Sequence, residues 1–143
     1  MTEFSNPPLR IGDELIYYYG SSSWGKNQPR PYRVSGGGIF RARLRPDGYV
    51  SVDNGSIVTR RLNFDGRHLY INGKGPITVE VVSSADNAAK RIAVSMIEGD
   101  SFAHKVVFDN DRSLRDAANG GIVQLRFTVG EGGNLFSFTI DSK

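Results

Sequence analysis

Residues 123–129 read VQLRFTV. Val123, Leu125, Phe127 and Val129 alternate with Gln124, Arg126 and Thr128. That period of two puts the apolar side chains on one face of an extended strand and the polar ones on the other. An amphipathic helix would need a period near 3.6. A strand with one wet face belongs to an antiparallel sheet whose other face is covered. NLFSFTI at 134–140 follows a glycine-rich turn and places Phe136, Phe138 and Ile140 on one face. This pair points to an all-β chain in which each strand buries one side.

The same signals recur toward the N-terminus, separated by Asp-Gly and Asn-Gly turns. Alternating or apolar runs occupy 14–19, 40–44, 49–52, 57–62, 69–71, 77–81, 92–96 and 102–108. The Asp47-Gly48 turn predicts a hairpin of 39–45 with 49–53. Helix signals are confined to 84–90 and 113–118, each read as a turn or a single helical turn, too short to stand alone. Short strands at 8–12-residue spacing predict an antiparallel two-sheet β-sandwich, jelly-roll-like, with an N-terminal extra strand. The expected division is an N-terminal strand and linker at 1–34 and the sandwich at 35–143. The expected core is Leu44, Val50, Val52, Leu62, Leu69, Ile71, Val79, Val81, Val94, Val106, Phe108, Val123, Leu125, Phe127, Phe136 and Phe138.

With 143 residues the chain can bury about two thirds of its unfolded surface. It contains no cysteine, which excludes disulfides, thiolate metal sites and cysteine catalysis. No run reaches the roughly 18 apolar residues of a membrane helix, and no membrane partner is expected. No signal peptide is visible in MTEFSNPPLR, and the compartment is left open. The net charge of +3 is concentrated locally, with Arg30, Arg33, Arg41, Arg43, Arg45, Arg60 and Arg61 set against Asp47 and Asp53.

Five segments follow one another in a recognisable order: GDELIYYYG at 12–20, RPDGYVSV at 45–52, TRRLNFDGRHLYIN at 59–72, EGDS at 98–101 and VQLRFTV at 123–129. This order resembles the C-terminal β-sandwich region, with the last propeller strand before it, of bacterial proteins related to glycoside hydrolase families 32, 43 and 68. The resemblance covers the chain from Asp13 onward and rests on the order of short motifs. It implies that 12–20 corresponds to the final strand of a five-bladed propeller and the remainder to the sandwich. The family's catalytic carboxylates lie on propeller blades, so no position in this chain receives them.

Several constellations remain to be weighed on their own chemistry. Glycosidases need two carboxyls about 5–10 Å apart; Glu98 and Asp100 have suitable spacing, but Gly99 between them marks a turn. Asp109 and Asp111 flank Asn110, but the sixth and twelfth positions of a calcium loop hold Leu114 and Gly120, so that pattern fails. His68 and His104 lack zinc-ligand spacing. Ser35-Gly36-Gly37-Gly38 has no following Lys-Ser/Thr and no helix, so it reads as a link into a strand, with no P-loop. Arg41, Arg43 and Arg45 project from one strand face, either to read acidic groups or as a solvated surface. Trp24 and Tyr32, with Tyr17–Tyr19 near them, could stack on a sugar ring while Arg30 or Arg43 hold hydroxyls or acidic groups; the alternative, which is favoured, is that Tyr17 and Tyr19 face the core and Trp24 covers a sheet edge.

The reading is a non-catalytic accessory module of a carbohydrate-active protein, for scaffolding or glycan binding. The candidate carbohydrate-binding residues are Trp24, Tyr32, Arg30 and Arg43, with no catalytic residue, metal or cofactor. The alternative is a glycoside hydrolase with a site built within the sandwich, for which Glu98 and Asp100 come first. The expected partner is an oligo- or polysaccharide. Basic residues interleaved with aromatics also suit nucleic acid, but no such module matches and no nucleic-acid partner is expected. A strand at 12–19 with no blade to join would expose an unpaired edge, which suggests a homodimer through that strand.

Overall fold

β10 (Val123–Val129) runs inside a four-stranded antiparallel sheet between β5 (Gly55–Val58) and β7 (Ile77–Ser83), with β8 (Lys90–Ile97) beyond β7. Its alternation is realised fully: Val123, Leu125, Phe127 and Val129 are buried, and Thr128 is exposed. β11 (Asn134–Asp141) belongs to the opposing sheet, beside β6 (His68–Lys74), which in turn pairs with β9 (Asp100–Val106). The computed structural model describes residues 2–4, 7–22, 36–83 and 90–141, the first three as backbone. The chain divides into two units, Met1–Gly48 and Tyr49–Lys143.

The second unit is a two-sheet sandwich with jelly-roll connectivity. Val52 forms a bridge with Leu135 on the free edge of β11, and Leu62 bridges Val123 to continue the β5 side of β10. With Val52 counted as a minimal first strand, one sheet runs Val52-β11-β6-β9 and the other β5-β10-β7-β8. Every connection except β7–β8 changes sheet, which is the double Greek-key pattern of a jelly roll. The core lies between the sheets, with Leu69 and Ile71 from β6, Val79 and Val81 from β7, and Leu125 and Phe127 from β10. One short helix, α1 (Leu114–Ala118), adds Leu114, Ala117 and Ala118 to it. Ser113 caps that helix and its own amide donates to the Asp116 carboxylate, a capping box that supports so short a segment. The expected single helical turn at 113–118 is therefore present; the one at 84–90 falls mainly outside the described residues.

The sandwich corrects three expected core positions. In β8 the expected core residue was Val94. The register instead pairs Ile97 with Ile77, Ser95 with Val79 and Ala93 with Val81, so Val94 and Met96 point away from the core and Met96 is 72% exposed. The small Ala93 and Ser95 face the core where α1 packs against β8. A register shift between Val81 and Val82 then returns Ile92 to the edge of the cluster. Along β11 a shift between Leu135 and Ser137 buries Leu135 in place of Phe136, which is half-buried. Val50 is 76% exposed, because only Val52 of its segment reaches a partner strand.

The first unit is a sheet of β1 (Thr2–Phe4), β2 (Leu9–Ile11), β3 (Glu14–Ser22) and β4 (Gly37–Leu44). β4 pairs with β3 from Leu15 to Ser22, and β1 and β2 lie end to end along the opposite edge of β3. The expected hairpin of 39–45 with 49–53 does not form, since β3 supplies a longer partner for β4, including a stacked Tyr19–Phe40 pair with centroids 5.6 Å apart. Phe40–Leu44 thus belongs to the N-terminal sheet, and the observed division falls at 48/49 where 34/35 was expected. Nor is β3 a lone extra strand: both of its edges are paired, so the unpaired edge that suggested a homodimer is occupied within the chain. Gly12, at φ +60°, opens the two-residue β2–β3 turn where a hairpin needs a residue tolerant of that conformation.

Removing the Phe127 side chain leaves a cavity between the two sheets. Phe127→Ala is expected to lower stability by about 3–5 kcal/mol, while Met96→Lys stays within about 0.5 kcal/mol; urea unfolding of both variants checks the observed β8 register together with the core.

Candidate functional site

The alternation in HLYI at 68–71 decides which side chains β6 shows to solvent. Leu69 and Ile71 are fully buried in the core, so His68 and Tyr70 lie on the opposite, wet face of the β11-β6-β9 sheet. The register sets Thr139 of β11 and Lys105 of β9 on either side of Tyr70, and Asp141 beside His68. His68 and Tyr70 meet edge to face, with centroids 6.4 Å apart. The result is an aromatic pair on a polar sheet surface, with a hydroxyl and an ammonium flanking Tyr70.

At the His68 end, this surface runs into a cavity of about 100 Å³ lined by Arg67, His68, Lys105, Arg112, Ser113 and Asp116, among others. Two local devices build its wall. Asp109–Asp111 forms a 3-10 turn in which Asn110 and Asp111 take φ of +60° and +56°, a conformation that Asn and Asp tolerate better than most residues. Backbone bonds between Phe108 and Arg112 close the turn, and Arg112 Nε donates to the Asp109 carbonyl at 3.0 Å. On the other side, the Arg115 amide donates to the Arg67 carbonyl at 3.2 Å and Arg115 Nη1 to that of Asp65 at 3.0 Å, tying α1 to the start of β6.

Within the cavity wall the Ser113 hydroxyl donates to Asp116 Oδ2 at 2.6 Å and accepts from the Asp116 amide at 3.3 Å. The serine proton is therefore directed at a carboxylate in a capping box and is not shared with His68. The Ser113 hydroxyl first, then the Ser113 amide, hold the Asp116 carboxyl below its ordinary value of 3.8; partial burial opposes this, and the charges of Arg67, 3.9 Å away, and His68 add to the lowering. His68 Nδ1 is buried and makes no hydrogen bond with the described residues.

Of the residues expected at a carbohydrate site, Trp24, Arg30 and Tyr32 lie outside the described residues. Arg43 is on β4, where it pairs with Ile16 across the sheet and its Nη1 lies 3.4 Å from Glu14 Oε1, both side chains about half exposed. Arg41 pairs with Tyr18 on the same face, so the arginine row and one tyrosine of the triplet are brought together. Tyr17 and Tyr19 share the other face with Leu15, Ala42 and Leu44. Glu98 and Gly99 form the β8–β9 turn, with Gly99 at φ +82°, and both Glu98 and Asp100 are exposed. His104 sits with its ring Nε2 3.2 Å from the Gly73 carbonyl oxygen. The face around Tyr70 was not singled out in the sequence, although the HLYI alternation carries the signal for it. Comparison with protein-family models, curated proteins and solved structures gave no match to this chain.

Asp116 has its carboxyl lowered in the folded state, so its contribution is fully present above the ordinary value of 3.8 and is lost as pH falls through the lower folded value. Asp116→Asn is therefore expected to melt below the wild type at neutral pH, with the difference shrinking as pH drops below about 4. Thermal midpoints measured across pH 2–7 check this.

Proposed function

We propose that the chain is a non-catalytic β-sandwich accessory module of a carbohydrate-active protein, acting in scaffolding and glycan contact. The observation that carries this reading is the wet face of the β11-β6-β9 sheet, where Tyr70 stands between Thr139 and Lys105 with His68 against its ring. A sugar presents an apolar ring face bordered by hydroxyls. An aromatic ring set among donors and acceptors complements both parts, as aromatic side chains with a wet border do at other interfaces. The order of short motifs, which resembles that of the sandwich region of proteins related to glycoside hydrolase families 32, 43 and 68, supports the same reading. Affinity for a single stacked sugar is modest, because one ring contact leaves little surplus over the cost of association.

The test is a glycan array with the full chain, followed by calorimetric titration of the best ligand. Tyr70→Ala is expected to weaken binding about tenfold or more, by analogy with stacked bases on aromatic side chains, without lowering the unfolding midpoint appreciably. Trp24→Ala, run beside it, shows whether the N-terminal aromatic contributes. An array with no glycan bound would overturn the glycan-contact reading. Hydrolysis of aryl glycosides by the purified chain, abolished by Glu98→Gln or Asp100→Asn, would replace the accessory role with a catalytic one.

A further inference from the structure

The cavity beside Tyr70 is unusual for its unspent donors. Lys105 is exposed at its rim and its ammonium has no partner among the described residues. Among the described residues Arg112 bonds only through Nε, to the Asp109 carbonyl, and its Nη groups have no partner there. The His68 ring lines the cavity, and its Nδ1 is buried and makes no hydrogen bond with the described residues. Two carboxylates also line the space, but they do not cancel the donors. Asp116 already accepts from the Ser113 hydroxyl and amide and lies 3.9 Å from Arg67. Asp111 is exposed and is shared with the neighbouring groove along β8.

We propose that the cavity bounded by Arg67, His68, Lys105 and Arg112 binds a compact oxyanion, either the carboxylate or sulfate group of an acidic sugar or the free inorganic ion. Size restricts the choice. A volume of about 100 Å³ is that of roughly three waters at about 30 Å³ each, which suits a carboxylate or a small tetrahedral anion better than a whole pyranose ring. The ring would remain outside, beside Tyr70, which pairs with Lys105 across the sheet and meets the His68 ring edge to face. Arginine and lysine donors favour oxyanions because charge-assisted hydrogen bonds are about twice as strong as neutral ones. For the sugar arm the proposal rests on the glycan-contact reading; for the inorganic arm it does not.

The experiment is a heteronuclear NMR titration of the full chain with sodium sulfate, sodium glucuronate and glucose, at ionic strength held constant with sodium chloride. Saturable shifts confined to residues 67, 68, 105 and 112 with sulfate or glucuronate are expected, with glucose causing none at these positions. Lys105→Gln should weaken binding about tenfold, and Arg112→Lys, which keeps the charge but loses the fork, should weaken it less; circular dichroism of each variant checks the fold. Glucuronate tighter than sulfate, with added shifts at Tyr70, assigns the anion to a sugar and supports both proposals. Sulfate as tight as glucuronate, with Tyr70 unmoved, assigns it to the free ion, so that the site stands while the glycan reading loses its support. Absence of saturable shifts from both anions, or shifts unchanged in Lys105→Gln, overturns the site. Neutral-glycan binding on the array would still leave the accessory role intact.

Discussion

Phe127 and Phe138 meet across the sandwich with ring centroids 5.2 Å apart. They sit on β10 and β11, which are consecutive in the chain but lie in opposing sheets. Such a contact is worth about 0.5–1.5 kcal/mol beyond the area it buries. It requires the chain to leave one sheet and enter the other within residues 130–133. The corner is made almost wholly of glycine for a steric reason. A Cβ on Gly130 would approach Pro76 to 3.0 Å, one on Gly133 would meet the Pro76 carbonyl oxygen at 2.9 Å, and Gly132 takes φ +74°. The Gly130 amide then donates to the Pro76 carbonyl at 3.0 Å and locks the corner against the start of β7.

From that constraint the candidate site follows. With β11 set against β10 across the core, β6 must lie between β11 and β9 with Leu69 and Ile71 turned inward. His68 and Tyr70 are left on the outside, and β9 brings Lys105 alongside. The cavity wall on the far side comes from the connection between β9 and β10, where the Asp109–Asp111 turn and α1 fold back against the strand ends. The site is thus built from a rigid strand on one side and a tightly capped turn on the other.

Much of this fold is legible in the sequence. Period-two alternation in VQLRFTV and HLYI identifies strands and assigns their inner faces correctly, because each side chain's direction follows from the strand itself. Where a bulge intervenes, the local pattern misleads. RIAVSMI at 91–97 alternates in two ways, and its pairing with β7 selects Ala93, Ser95 and Ile97 against the larger Val94 and Met96. The Asp47-Gly48 turn is real, with Asp47 at φ +57°, but no local signal tells that Leu44 pairs with Leu15 and Val52 with Leu135. The candidate site is legible only in its β6 half. Lys105 and Arg112 join it through pairings and a turn that no window of neighbouring residues encodes.

The order in which these strands pair also bears on how the molecule comes into being. Val52 and Leu62, near the start of the sandwich, find their partners in Leu135 and Val123, near its end. A ribosome-bound chain that has emerged only as far as α1 therefore has no neighbour for β5, and β6 and β7 each lack one flanking strand. Hairpin β7–β8 and the β6–β9 pair can form earlier, but the two sheets cannot close over a common core until β10 and β11 have left the exit tunnel. Topologies dominated by such distant pairings fold slowly. Unpaired edges during that interval are open to other nascent chains, and β8 meets the hazard with Lys90 and Arg91 at its exposed start, charges of the kind that keep strand edges apart.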